Sequence, residues 1–147
     1  MRKTLNLILV GTVLAAAHVI AASPANPTEA AVGYFSEMQV ERAEPVYAQH
    51  CASCHGAQPE QGSAAAPPLA GLPFMFYWEG KSVLELFEYT QETMPQTRPG
   101  SLTQEQYIDL VAYILSANDL PSGDQELSFD PDRLAELLIV SAEPEGN

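Results

Sequence analysis

The sequence predicts an all-α domain, and three observations carry that expectation. Ser36-Glu37-Met38-Gln39, Ser82-Val83-Leu84-Glu85 and Thr103-Gln104-Glu105-Gln106 each have the form of a capping box, in which two side chains satisfy free amides at a helix start. Apolar residues recur at helical spacing after each of them. No stretch alternates like a strand, and the chain has no internal repeat.

The first residues stand apart from the domain. Arg2 and Lys3 form a basic start, Leu5 to Ala17 an apolar run, and small residues lead to Ser23-Pro24. This layout predicts a secretory signal over 1–22, cut near Ala21 or Ala22. The competing reading is a retained anchor, because Leu5 to Ala22 is nearly long enough to span a bilayer. Asn6, Thr12 and His18 interrupt that run, so the expectation is an exported, periplasmic chain with no stable membrane insertion after cleavage. Residues 23–34, rich in Ala and Pro at their start, read as a flexible lead-in.

A domain over 35–120 follows. Val40, Ala43 and Tyr47 share one helix face running toward Cys51, while Pro45 predicts a kink or a restart. Gly56 to Gly71 is a loop with a stiff end, Pro67-Pro68-Leu69-Ala70-Gly71, and an aromatic patch follows at Phe74, Phe76, Tyr77 and Trp78. The second capping box opens a helix through about Tyr89. Two prolines and a glycine make Thr93 to Gly100 a loop. The third box starts the clearest helix, with Tyr107, Leu110, Val111, Ile114 and Leu115 in the i, i+3, i+4, i+7, i+8 pattern. Residues 121–147 form an extension in which Asp130-Pro131 has the form of a cap and first helical residue, with Leu134, Leu137 and Leu138 on one apolar side.

Loss of Arg2 and Lys3 with the signal leaves four basic residues against 19 acidic, a formal charge of −15. A field of that sign repels nucleic acid and anionic membranes and favours partners with a positive docking surface.

Cys51-Ala52-Ser53-Cys54-His55 carries the chemistry. Each thiol can add across a haem vinyl group, and a one-turn separation sets the two sulfurs over adjacent pyrroles. A histidine directly after the second cysteine then reaches the iron, so this pentapeptide reads as covalent attachment of one haem c. A thioredoxin-like pair would need a βα context, and a structural zinc site would need four ligands at wider spacing. A simple disulfide is the remaining alternative.

The sixth iron ligand is expected to be Met94, 39 residues beyond His55, in a loop held stiff by Pro95. Met75 and Met38 are the rivals; both fit packing roles better. His50 adjoins Cys51 on the His55 side of the haem and is a poor candidate.

With these residues in hand the chain resembles class I cytochromes c over about Phe35 to Leu115. The marks are the attachment pentapeptide, Pro67-x-Leu69-x-Gly71, Met94-Pro95 and Asp109-Leu110-Val111-Ala112-Tyr113-Ile114-Leu115. The resemblance implies a few helices and long loops around one haem, with the first and last helices crossing at Ala43, Val46 and Tyr47 against Leu110 and Tyr113. It implies that the Pro67 carbonyl accepts the Nδ1 hydrogen of His55, and that Trp78 and Arg98 bind haem propionates. Ala43 stands where that family usually has glycine. Shorter marks, including Phe35-Ser36, Pro99-Gly100-Ser101-Leu102 and Asn118-x-x-Pro121-x-Gly123, are similar to monohaem cytochromes that serve periplasmic quinoprotein alcohol dehydrogenases.

The function expected is one-electron transfer through a His/Met-ligated haem, from a dehydrogenase to a cytochrome or oxidase, with no catalysis by the chain itself. The acidic face at Glu85, Glu88 and Glu92 is a candidate docking rim or a solvated helix side. Two alternatives stand beside the carrier: a haem enzyme or gas sensor with an open sixth position, and a fixed electron-transfer subunit of a larger complex.

Overall fold

A computed structural model describes residues 33–141. The signal expected over 1–22 and most of the lead-in lie outside the described residues. Six helices form: α1 Glu37–His50, α2 Ala52–His55, α3 Leu72–Trp78, α4 Val83–Thr93, α5 Gln104–Ser116 and α6 Pro131–Glu136. Among the described residues there is no sheet, only isolated bridges pairing Phe35 with Ser122 and Ser82 with Leu138. The fold is all-α and class I cytochrome c-like.

The capping boxes at Ser82 and Thr103 form in full, each hydroxyl accepting from an amide that in turn carries the returning side chain. The first box is only half made. Ser36 accepts the Gln39 amide hydrogen, but the Gln39 side chain does not return. Its amide nitrogen instead donates to Asp109 and to the Leu127 carbonyl, and its oxygen accepts from the Leu127 amide. Gln39 is fully buried, and a tertiary network satisfies more of its polar valences than a local cap would.

The restart expected at Pro45 does not occur. α1 runs unbroken through Pro45. Proline removes one hydrogen bond there, but Ala43 and Tyr47 on the opposite side are packed against α5, and that burial holds the helix together. The aromatic patch is also a helix in its own right, α3, started by Gly71 with Pro73 in its first turn.

α5 is the centre of the packing. Every residue from Tyr107 to Leu115 except Tyr113 is buried, so this helix meets neighbours on nearly all sides. α1 crosses it as expected, with Ala43 and Leu110 buried at the crossing and the Tyr47 and Tyr113 rings 5.1 Å apart. Beside that contact Arg42 donates through Nε and a terminal nitrogen to both carboxylate oxygens of Asp109, at 2.7 and 2.9 Å, and also grips Glu126. These bonds raise the Arg42 pKa and lower that of Glu126.

The extension returns over the domain. Asp130 caps α6 by accepting from the Arg133 amide, and Leu134 is buried beneath it. Leu138 does not share that apolar side, because the helix ends at Glu136 and the chain becomes extended. There Val83 donates to Leu137, and Ile139 exchanges hydrogen bonds with Gly80 and Lys81. The backbone pairing turns Ile139 inward and leaves Leu138 outside.

Replacing Asp109 with alanine removes two acceptor oxygens from Arg42, leaving it only Glu126, and one from Gln39. Denaturant unfolding of the haem-loaded Asp109→Ala protein is expected to lose about 2–3 kcal/mol of stability. A loss below about 0.5 kcal/mol, the level of an ordinary surface change, would show that this network does not hold the crossing.

Tyr47 gives an alkaline signature. Its hydroxyl donates to the Gly56 carbonyl at 3.0 Å, and burial, with neighbouring Cys51, Tyr113 and Glu60 adding, pushes its pKa up to about 12. A folded-state pKa above the unfolded value of 10.0 means that this contribution is complete below pH 10 and fades as pH rises through about 12. The unfolding free energy, followed from pH 8 upward, is expected to fall more steeply across that window in the wild type than in Tyr47→Phe. Parallel curves would exclude Tyr47 as the group responsible.

Candidate functional site: the haem attachment turn and its surroundings

α1 delivers the chain to the site and Cys51 begins a new turn. The Cys54 and His55 amides both donate to the Cys51 carbonyl, folding the pentapeptide into the four-residue helix α2. Both cysteines thus leave one short turn, half-buried, and they are not joined in a disulfide. Before haem is attached, burial, with Cys54 adding, pushes the Cys51 thiol up to about 11. Gly56 ends the turn at φ +92°, a conformation that side chains disfavour, and a Cβ there would meet Gln61 at 2.8 Å.

The loop from Gly56 to Gly71 is bound back onto this turn. Ser63 donates to the Cys54 carbonyl, and Leu69 donates to Pro59. Gly62 lets the backbone pass beneath Pro67 and Pro68, where an added Cβ would come within 2.7 Å of the Pro68 ring. The result is the expected contact: His55 Nδ1 lies 2.9 Å from the Pro67 carbonyl. A carbonyl can only accept, so Nδ1 carries the hydrogen and Nε2 is the nitrogen with a free lone pair. The ring is buried and its orientation is fixed from behind.

Asn118 holds the far end of the same loop. It accepts from the Gly71 amide and donates to the Leu69 and Ile114 carbonyls. Sequence reading noted Asn118 only as part of a motif. An amide followed within three residues by a proline, just past a strong helix, was the available signal for a residue that closes α5 onto a loop.

On the other side, Met94 ends α4 and is half-buried. Its amide donates to Thr90, and its carbonyl accepts from the Tyr107 hydroxyl at 2.7 Å. Met75 packs against the hydrophobic core, and Met38 is exposed on α1. Trp78 stacks on Phe74, meets the edge of Tyr89 at 5.4 Å and lies under the Lys81 ammonium at 5.3 Å. Arg98 is exposed on the loop after Met94. It shares a pocket with Pro95 and Thr97 from its own loop and with Gln49, His50 and Ser53 from the attachment segment.

The acidic face divides by role. The Glu85 carboxylate is engaged by the Ser82 amide and hydroxyl, which hold it below the usual carboxylate range. Glu88 and Glu92 are exposed.

These residues fit a covalently bound haem. Two thiols leave one turn, and the following histidine presents Nε2 with its other nitrogen already committed. The zinc alternative has no ligand set, since no three His, Cys, Asp or Glu side chains converge among the described residues. One haem c is attached at Cys51 and Cys54. No helix among the described residues is long and apolar enough to cross a membrane.

Comparison with known proteins places the chain. No curated protein matches it. Among solved structures, the sulfane dehydrogenase SoxCD from Paracoccus pantotrophus is similar at 20% identity and a TM-score of 0.49. That alignment covers 68% of this chain and 52% of the other, so the chain spans about half of its length. Residues 38–114 match the family described as cytochrome C oxidase, cbb3-type, subunit III. That segment is more than half of the 147 residues and encloses the attachment turn, Pro67, Met94 and most of α5, so the chain belongs to the cytochrome c oxidase, cbb3-type, subunit III family.

Proposed function

We propose that this chain is the haem c electron-transfer module of an oxidase or dehydrogenase assembly in the periplasm, held by its partner rather than diffusing between partners. The observation that carries this reading is the family match over 38–114, joined to the His55–Pro67 contact at the attachment turn. The family is that of an oxidase subunit, and this favours the fixed-subunit alternative over a free carrier. The chain relays electrons and is not itself a catalyst. As a class I monohaem cytochrome it has features in common with those serving quinoprotein dehydrogenases, which makes such an enzyme a candidate donor.

In this reading His55 Nε2 and the Met94 thioether would hold the haem iron. Haem supplies the one-electron couple, and a thioether opposite histidine raises its potential. Pro67 fixes the imidazole plane and strengthens its donation. Trp78 is proposed to meet a propionate, with Lys81 adding positive charge beside it. Arg98 was expected to do the same, but its pocket with Ser53 favours a different part. Ser53 lies between the two attachment cysteines, and the vinyl and propionate groups leave opposite edges of the porphyrin. Arg98 therefore suits the thioether edge, where a partner's carboxylate can dock in an otherwise acidic surface.

Met94→Ala tests the ligation. The iron–sulfur charge-transfer band of the oxidised protein is expected to vanish and the potential to fall by on the order of 0.2 V, within the ~0.8 V range that axial ligands command. A band that survives the substitution excludes Met94. Rapid carbon monoxide binding by the reduced wild type would favour a sensor or haem enzyme instead. For the fixed subunit, purification from native cells at high salt is expected to yield the chain with a larger redox enzyme. Recovery as a lone monomer at low and high salt alike would return the diffusible carrier to first place.

A further inference from the structure

We propose that Tyr107 is the positioning residue for Met94, its hydroxyl fixing the backbone from which the axial sulfur reaches the iron. The inference rests on Met94 being that ligand and adds the device that holds it there. Tyr107 lies in the first turns of α5 and is fully buried. Its ring meets the edge of Phe87 from α4, and its hydroxyl donates to the Met94 carbonyl at 2.7 Å.

The chemistry of that carbonyl explains the need. Met94 closes α4, and carbonyls at a helix end have no partner within the helix. The Met94 amide is satisfied by Thr90 within its own element, leaving its carbonyl to be tied from elsewhere. Beyond it the chain enters Pro95 to Ser101, of which every residue after Pro95 is exposed. A methionine whose amide rests on a helix end and whose following loop faces water has one buried anchor from another element. That anchor is the Tyr107 hydroxyl.

A phenol is also more than the core requires. Phenylalanine would fill the same volume against Phe87 and the rest of the core. The extra oxygen reaches only the Met94 carbonyl. A structural role in capping α4 would alter global stability alone. A positioning role also alters how readily the sulfur yields its place on iron.

Imidazole, added to the oxidised holoprotein as a competing ligand, separates the two. Tyr107→Phe is expected to keep the iron–sulfur band without added ligand, yet to bind imidazole about three- to tenfold more tightly, the range of one lost hydrogen bond. Phe87→Leu, which loosens the same core without touching that carbonyl, is expected to lower stability while leaving imidazole affinity within about twofold of wild type. Should Tyr107→Phe fail to load haem, 3-fluorotyrosine at position 107 keeps the ring and makes a stronger donor, and imidazole affinity is expected to fall. Affinity unchanged in the Tyr107 variant, or equal gains in both variants, overturns the proposal. Met94→Ala run alongside keeps the two ideas apart. Wild type that binds imidazole as tightly as Met94→Ala overturns the Met94 assignment and this proposal together. Protection in wild type with no effect at Tyr107 overturns this proposal alone.

Discussion

The arrangement depends on the burial of α5. A helix packed on almost every side has no freedom to slide or rotate, so whatever is fastened to it inherits its position. Asp109 fastens α1, and through α1 the attachment turn. Tyr107 fastens Met94 near one end, and Asn118 fastens the Leu69–Gly71 loop just past the other. At 1.5 Å per residue those two anchors are about 16 Å apart along the axis. The attachment loop and the Met94 segment are thus referred to one rigid element, although they are far apart in sequence.

Charge placement follows the same economy. Arg42, one of few cations in a strongly acidic chain, is committed at the surface to Asp109 and Glu126 of the same chain. With Gln39 it joins the extension to the α1–α5 crossing, so residues 126 and 127 close the same network that holds the domain. The extension is thereby part of the fold and not an appendage. Its later part pairs with the chain around Gly80 to Val83, covering the start of α4.

Much of this was legible in the sequence because it is local. Capping boxes at Ser82 and Thr103 are four-residue events, the periodicity of α5 needs only its own residues, and the attachment pentapeptide is contiguous. The His55–Pro67 contact was legible through resemblance, and its geometry fits. What escaped depends on partners distant in sequence. Gln39 looked like the second half of a cap until Asp109 and Leu127 took its side chain. α3 was hidden by its short length and unbroken run of large apolar residues, which carry no helical period. Leu138 fitted a helical stripe and was redirected by pairing with Ser82. Tyr107 read simply as a buried position of an amphipathic helix, and nothing local signals what a phenol hydroxyl will touch 13 residues upstream.

The two walls of the site are held by unequal means, and this has a consequence for electron transfer. The histidine wall is fixed many times over: two covalent bonds to haem, a backbone turn, a carbonyl behind the imidazole, and a loop tied by Asn118. The Met94 segment, proposed as the facing wall, has two hydrogen bonds to its backbone and then an exposed loop. Were Met94 the second iron ligand, as proposed, it would therefore be the less firmly held of the two. A site that must change oxidation state without moving its ligands gains most from each restraint on its weaker wall. On the stronger wall one contact more or less alters little, since the others already determine the geometry. In the proposed ligation the bond most open to tuning would thus be that of Met94, and the residues that restrain its backbone lie on α4 and α5 and not near the attachment motif that first identifies the chain.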